Sequence, residues 1–283
     1  MEANEVLANK KLFERCATAV VGTALGLGAA IAFSAPASAA PSPGVCSGGS
    51  ILSGAYTSLT IEGACAIDKG TVNVTGNVTI EPGDSLAADF GGSDLRVKGD
   101  VTVRSNALLV LGCAPSDFAC ENDPNPAHPT LATHHSIGGK LVASGARDVQ
   151  VNNSSVKGNV TFTGADREFL CLIAETHLIG AHDLMPSLPG ISAFEDNNFG
   201  GAVTIKDVHT CWMGFLRNQV VGTVTYNNNF SVELSGNEIV GNKIGGDLKC
   251  MGNDSAPHGT LAHGGPNLVA GVRTGQCRST SLP

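Results

Sequence analysis

The chain has 283 residues and a formal net charge of −8 at pH 7, with acidic and basic side chains balanced three to three over residues 1–40. The part beyond residue 40 therefore carries the whole negative surplus, which excludes a general nucleic-acid-binding role, since phosphate contacts need a basic footprint. Aromatics at 5% leave few stacking platforms for bases or sugars, and 36 glycines with only 15% charged residues fit a turn-rich β fold better than a disordered chain.

Lys10, Lys11 and Arg15 precede an apolar run over residues 16–33, and Ala37-Ser38-Ala39 follows it. Basic flank, apolar stretch and small-residue cleavage site together read as an export signal peptide over residues 1–40. The apolar run approaches the lower limit for a membrane span. The cleavage site favours its removal, so no stable membrane span is expected afterwards. Residues 41–69 read as an N-terminal cap and first coil, matching the later register only loosely. Solenoid ends are commonly atypical.

From residue 70 a short pattern recurs, first as VNVTGNVTI, then RVKGDVTV, SIGGKLVA, SVKGNVTF, NFGGAVTI, QVVGTVTY and KIGGDLKC. A degraded copy, HLIGAHDL, lies at residues 177–184. The anchoring glycines are Gly76, Gly99, Gly139, Gly158, Gly180, Gly201, Gly222 and Gly246, with gaps of 23, 40, 19, 22, 21, 21 and 24 residues. The gap of 40 spans two repeats or one repeat with an insertion. A period near 22 is a solenoid signature, and apolar alternation inside each copy is strand periodicity. The positions two before, two after and four after each glycine are apolar in nearly every copy. They should stack inward, coil on coil, about 4.8 Å apart, with the glycine on the same face permitting close backbone approach. The register puts His182 inward in the degraded copy, a sign that the pattern fails there. The expected architecture is an all-β, single-domain right-handed parallel β-helix over residues 70–250, with about three strands per coil.

The pattern breaks at residues 113–135, CAPSDFACENDPNPAHPTLATHH. Insertions in a β-helix emerge as loops, often on the binding face. Asp117, Glu121, Asp123, His128 and His134 are the candidate binding residues there, and a shielding loop is the simpler alternative. Asp117, Glu121 and Asp123 also offer oxygen ligands for calcium, but without the spacing of a calcium loop. His134 and His135 are adjacent, so a strand would point them to opposite faces. Zinc has no signal, because no metal-spaced His or Cys pair occurs; neither metal nor cofactor is expected.

Eight cysteines follow the leader: Cys46, Cys65, Cys113, Cys120, Cys171, Cys211, Cys250 and Cys277. Eight allow 105 pairings. Local closure favours Cys46–Cys65, Cys113–Cys120 and Cys250–Cys277, leaving Cys171 with Cys211. Residues 251–283 read as a C-terminal cap without a repeat, blunting the open sheet edge, and then a free tail.

Asn197, Asn218 and Asn242 lie four residues before their glycines and should form a stacked amide ladder. One residue earlier the file reads His134, Asn153, Glu175, Asp196 and Arg217. This register sets Glu175 and Asp196 on adjacent coils about 5 Å apart, a retaining-glycosidase separation, with Arg217 beyond them. These three are the catalytic candidates; a surface ion-pair ladder is the bland reading of the same file. A threonine file three residues after the glycines suggests ice binding as a remote alternative, but its neighbouring files are chemically mixed.

The repeats VTGNVTI, VKGNVTF and GGAVTI, with the ending DLKCMGNDSAPHG…PNLVAGVRTGQC, resemble a group of uncharacterised exported actinobacterial proteins, themselves similar in fold to right-handed, pectin-lyase-like β-helices. The resemblance implies that fold and brings no established activity. The N-T-D, D-D and R-I-K motifs of polygalacturonases are absent, and His258-Gly259 and His263-Gly264 lie outside the expected coils. The chain is therefore read as a secreted or cell-surface, non-enzymatic β-helix. It would act as an envelope scaffold or as an adhesion or carbohydrate-binding module, with a polysaccharide or cell-wall polymer as partner. The rival is a carbohydrate-active enzyme, a polysaccharide lyase or glycoside hydrolase. The oligomeric state is not legible.

Overall fold

The computed structural model describes residues 40–116, 118–165, 190–233, 236–259, 263–279 and 282. The expected leader falls outside these residues except for Ala40.

The chain winds into a parallel β-helix: every strand pairing among the described residues is parallel. The strands just before the anchoring glycines form one wall and those just after form a second, both within an 18-stranded sheet. The long strand Gly54–Ile61 joins them by pairing with both Gly70–Val74 and Val78–Ile80. An eight-stranded sheet, from Gly49–Ser50 to Asn237–Val240, makes the third wall.

The inward files stack as the periodicity predicts. Cys46, Ile61, Ile80, Val103, Ala143, Phe162, Ile205, Tyr226 and Cys250 pair in unbroken register. All are buried. Aliphatic side chains fill the early coils. Phe162, Phe194, Phe199 and Phe215 fill the later ones, with ring centroids 6.2–6.5 Å apart. Tyr226 is buried among them and satisfies its hydroxyl on Asn237 Oδ1 at 2.7 Å. Burial of such apolar files contributes roughly 25 cal/mol per Å², and stacking is what makes it continuous.

The glycine column serves the close backbone approach expected of it, but it does not face inward. Its described members are half-exposed at the corner between the first two walls, not turned into the core. A Cβ on Gly99, Gly139 or Gly158 would sit 2.5–2.6 Å from the carbonyl oxygen of the glycine one coil back. Close backbone approach along the axis is therefore what demands glycine.

The ladder also settles the order of the coils. Val160–Thr163 pairs directly with Val203–Lys206, and Ser155–Val156 with Asn198–Phe199. These are neighbouring coils with no rung between them; the degraded copy at residues 177–184, expected to be one, lies outside the described residues. The gap between Gly99 and Gly139 is one coil with an insertion, because Val101–Val103 pairs with Leu141–Ser144. At the other end the helix runs past residue 250: Leu268–Val269 and Arg273–Gly275 add a rung on Lys243–Ile244 and Leu248–Met251. Leu282, in the tail expected to be free, is anchored: it is buried and its carbonyl accepts from Arg273 Nη1 at 3.0 Å.

Cys46–Cys65, Cys113–Cys120 and Cys250–Cys277 are disulfide-bonded. Cys211 is also disulfide-bonded, while Cys171, its expected partner, lies outside the described residues. Such bonds belong to an oxidising compartment. Among the described residues no helix is long and apolar enough to cross a membrane.

Candidate functional site

The strands of the third wall end in a tight corner. Asn153, Asp196 and Arg217 occupy it on successive coils with φ of 46°, 56° and 54°. This left-handed region suits Asn and Asp but is strained for Arg. The residues after Asp196 and Arg217, with Asn242 on the following coil, build the expected amide ladder. Asn197 Nδ2 donates to Asn218 Oδ1 at 2.9 Å, Asn218 to Asn242 at 3.1 Å, and Asn242 to Asn267 at 2.8 Å. The ladder thus extends one rung further than the sequence suggested, and it fixes the corner column in register.

At that corner Arg217 gathers the predicted acid and a second one. Its Nε and Nη2 donate to the two Asp196 oxygens at 2.8 and 2.9 Å. Nη2 also donates to Glu195 Oε2 at 2.9 Å, and Nη1 to the His263 carbonyl at 2.7 Å. Ser116, from the inserted loop, donates to Asp196 Oδ2 at 2.7 Å. The neighbouring Glu238, 3% exposed, meets His263 Nδ1 at 3.0 Å.

Asp196 and Arg217 therefore meet as their register predicts, but Glu175 lies outside the described residues. The Asn153 N–H donates to the Glu195 carbonyl at 2.9 Å, so the coils of Asn153 and Asp196 are direct neighbours. The register that inserted a coil carrying Glu175 between them does not hold. The acid that joins Arg217 is Glu195, only 3% exposed. Sequence reading missed it because it sits on the outward face of a strand whose outer side is covered.

The candidate loop residues scatter. Asp123 is buried, and its oxygens accept the backbone N–H groups of Asn125, Thr130 and Leu131 at 2.8–2.9 Å. Those amides hold its carboxyl below the usual range. It staples the loop and has little capacity left for a cation. Glu121, His128 and His134 are exposed; Asp117 lies outside the described residues. His135, beside His134, is buried, accepts the Leu95 N–H on Nδ1 at 2.9 Å, and is pulled down to about pH 4 by burial. Among the described residues no three His, Cys, Asp or Glu side chains converge as a metal site.

A larger concavity lies on the outside of the first wall. It is a groove of about 800 Å³ running along the axis between the coils of Ser155 and Ala270. One wall of the groove is the in-register row Ser155, Asn198, Gln219 and Lys243. The other row reads Lys157, Gly200, Val221 and Gly245. Gly200 and Gly245 keep that row low because a Cβ there would strike the carbonyl of Lys157 or Val221 at 2.5–2.6 Å. Lys157 and Lys243 stand exposed over the groove without an ion pair to another described residue. The row alternating with the inward valines was the available sequence signal.

No protein-family model, no curated protein and no solved structure matches the chain.

Proposed function

We propose that this is an exported, non-enzymatic β-helix that binds an extended polymer, of polysaccharide or cell-wall type, along the groove of its first wall. The observation that carries the reading is the axial groove itself. Amide, hydroxyl and ammonium groups recur along it at the coil spacing of about 4.8 Å, close to the rise of one hexose unit in an extended glycan. Lys157 and Lys243 put local positive charge on a chain of net charge −8, which favours an anionic polymer. The predicted catalytic carboxylate Asp196 is matched by Arg217, which supports binding over hydrolysis. The leader and the disulfides support secretion or display at the cell surface.

The test incubates the secreted form with purified cell wall and with acidic and neutral polysaccharides, scoring co-sedimentation and chain cleavage together. The expected result is sedimentation with an acidic polymer, no cleavage, and loss of binding in Lys157→Glu/Lys243→Glu. Cleavage abolished by Asp196→Asn, or sedimentation indifferent to the lysine pair, overturns the proposal.

A further inference from the structure

A second cavity, of about 260 Å³, lies on the outside of the third wall, lined by Ala64, Ser85, Ala87, Asp89, Phe90 and Val110 among others, with Glu121 at its rim. The sequence singled out Glu121 as a loop residue and passed over Asp89. The fold brings them together through the inserted loop. The Glu121 N–H donates to the Asp89 carbonyl at 3.1 Å. Asn122 then exchanges two hydrogen bonds with Gly91, accepting its N–H at 2.6 Å and donating to its carbonyl at 3.1 Å. The Cys113–Cys120 disulfide closes the loop just upstream. Asp89 and Glu121 are thereby held side by side on two backbones pinned to each other.

Asp89 is 6% exposed, and its Oδ1 has no hydrogen-bond partner among the described residues. An orphaned buried carboxyl oxygen is costly and calls for an explanation. Burial raises its pKa to about 6, and the Glu121 charge adds to that rise. The two acids are the charged residues of the lining, and no basic side chain answers them there. Most of the remaining lining is apolar and small: Ala66 and Ala87 on neighbouring strands, then Val110 on the next.

We propose that this cavity binds a small organic cation, with its ammonium group between the Asp89 and Glu121 carboxyls and its hydrocarbon body over Ala66, Ala87 and Val110. An ammonium supplies the N–H donor that Oδ1 lacks and compensates two like charges at once. The volume is below that of ordinary drug-sized pockets, which restricts the ligand to a short chain or a single ring. A metal ion fits poorly, because hard cations take six or more oxygens and these walls are hydrocarbon. The site lies on a different wall from the polymer groove and does not depend on it.

The test uses n-butylammonium as probe and n-butanol as its neutral match, with binding to the secreted form followed by NMR at pH 7. Butylammonium should bind saturably and perturb Ala66, Ala87, Val110 and Glu121. Butanol should bind at least about tenfold more weakly. Asp89→Asn, which keeps the shape, should weaken butylammonium by about tenfold or more, and Glu121→Gln by less, since Glu121 is exposed. Ala87→Leu fills the floor and should abolish binding with both acids intact, guarding against misfolding of the Asp89 variant. Equal binding of butanol, unchanged affinity in Asp89→Asn, or no saturable signal from butylammonium overturns the proposal.

Discussion

Arg217 lies one coil beyond Asp196 at the same left-handed corner and grips its carboxylate through Nε and Nη2 at 2.8 and 2.9 Å. The same Nη2 reaches Glu195, so one guanidinium serves two acids. Glu195 is 3% exposed. Removing Arg217 takes a cation from a buried carboxylate, which is the expensive way to break an ion pair.

Arg217→Ala should therefore destabilise the protein by roughly 3 kcal/mol. Glu195→Gln in that background should recover part of the loss, because the buried charge is then gone. Chemical denaturation of the single and double variants measures both. Equal stability of Arg217→Ala and the native chain would show that the network contributes nothing.

Asn218 is fully buried, donates to the Phe194 carbonyl at 2.7 Å, and accepts from both the backbone and the side chain of Asn197. Asn218→Ala orphans groups on both neighbouring coils and should cost about 3 kcal/mol. Asn267, the last amide of the ladder among the described residues, accepts from Asn242 Nδ2 and donates to the Ile239 carbonyl, both at 2.8 Å. Thermal melting measures the cost of Asn218→Ala, and an unchanged midpoint would contradict it.

Gly158 illustrates the axial constraint. A Cβ there lies 2.6 Å from the Gly139 carbonyl oxygen, and its φ is not in the left-handed region. Steric displacement of a whole coil, not backbone strain, is the expected fault. Gly158→Ala should cost on the order of 2 kcal/mol, whereas Gly265→Ala, with open space around its Cβ, should be nearly silent.

Two buried groups titrate in opposite senses. Asp89 is raised to about 6, so the stability it contributes is full below its ordinary pKa and is lost as pH rises through about 6. His135 is lowered to about 4, so its contribution is full above its ordinary value and is lost as pH falls through about 4. Each shift of some two units corresponds to about 3 kcal/mol. Their slopes therefore largely offset between about pH 4 and 6. Asp89→Asn should unmask a stability that climbs with pH across that window, and His135→Gln one that falls. Denaturation midpoints at four pH values test this; parallel curves for all three proteins would contradict it.

Much of the β-helix was legible because each inward file repeats the same side-chain size at one spacing. Val74, Val78 and Ile80 already specify which face is buried, and one-residue slips would expose all three. The disulfides Cys46–Cys65, Cys113–Cys120 and Cys250–Cys277 followed from local closure. The pattern misled in expecting a rung between the coils of Val160–Thr163 and Val203–Lys206, which pair directly. It also missed the rung at Leu268–Val269, whose position two after Gly271 is Arg273 and not an apolar residue. The sites were less legible for a related reason. Glu195 and Asp89 are outward by alternation yet buried, because other chain segments cover the third wall. Strand periodicity reports which face a side chain takes, and not what later lies over it. The second amide stack, Asn229 to Asn253 to Gln276, escaped notice because it breaks chemical identity at its last member.

The most direct test of the central claim is a hydrogen-exchange footprint of the secreted form with and without the acidic polymer that sediments it. Slowed exchange confined to the groove rows around Lys157, Gln219–Val220 and Lys243–Ile244 is the predicted result. Protection confined to the inserted loop and the third wall, with the groove unchanged, would contradict the account and move polymer binding to the opposite side of the helix.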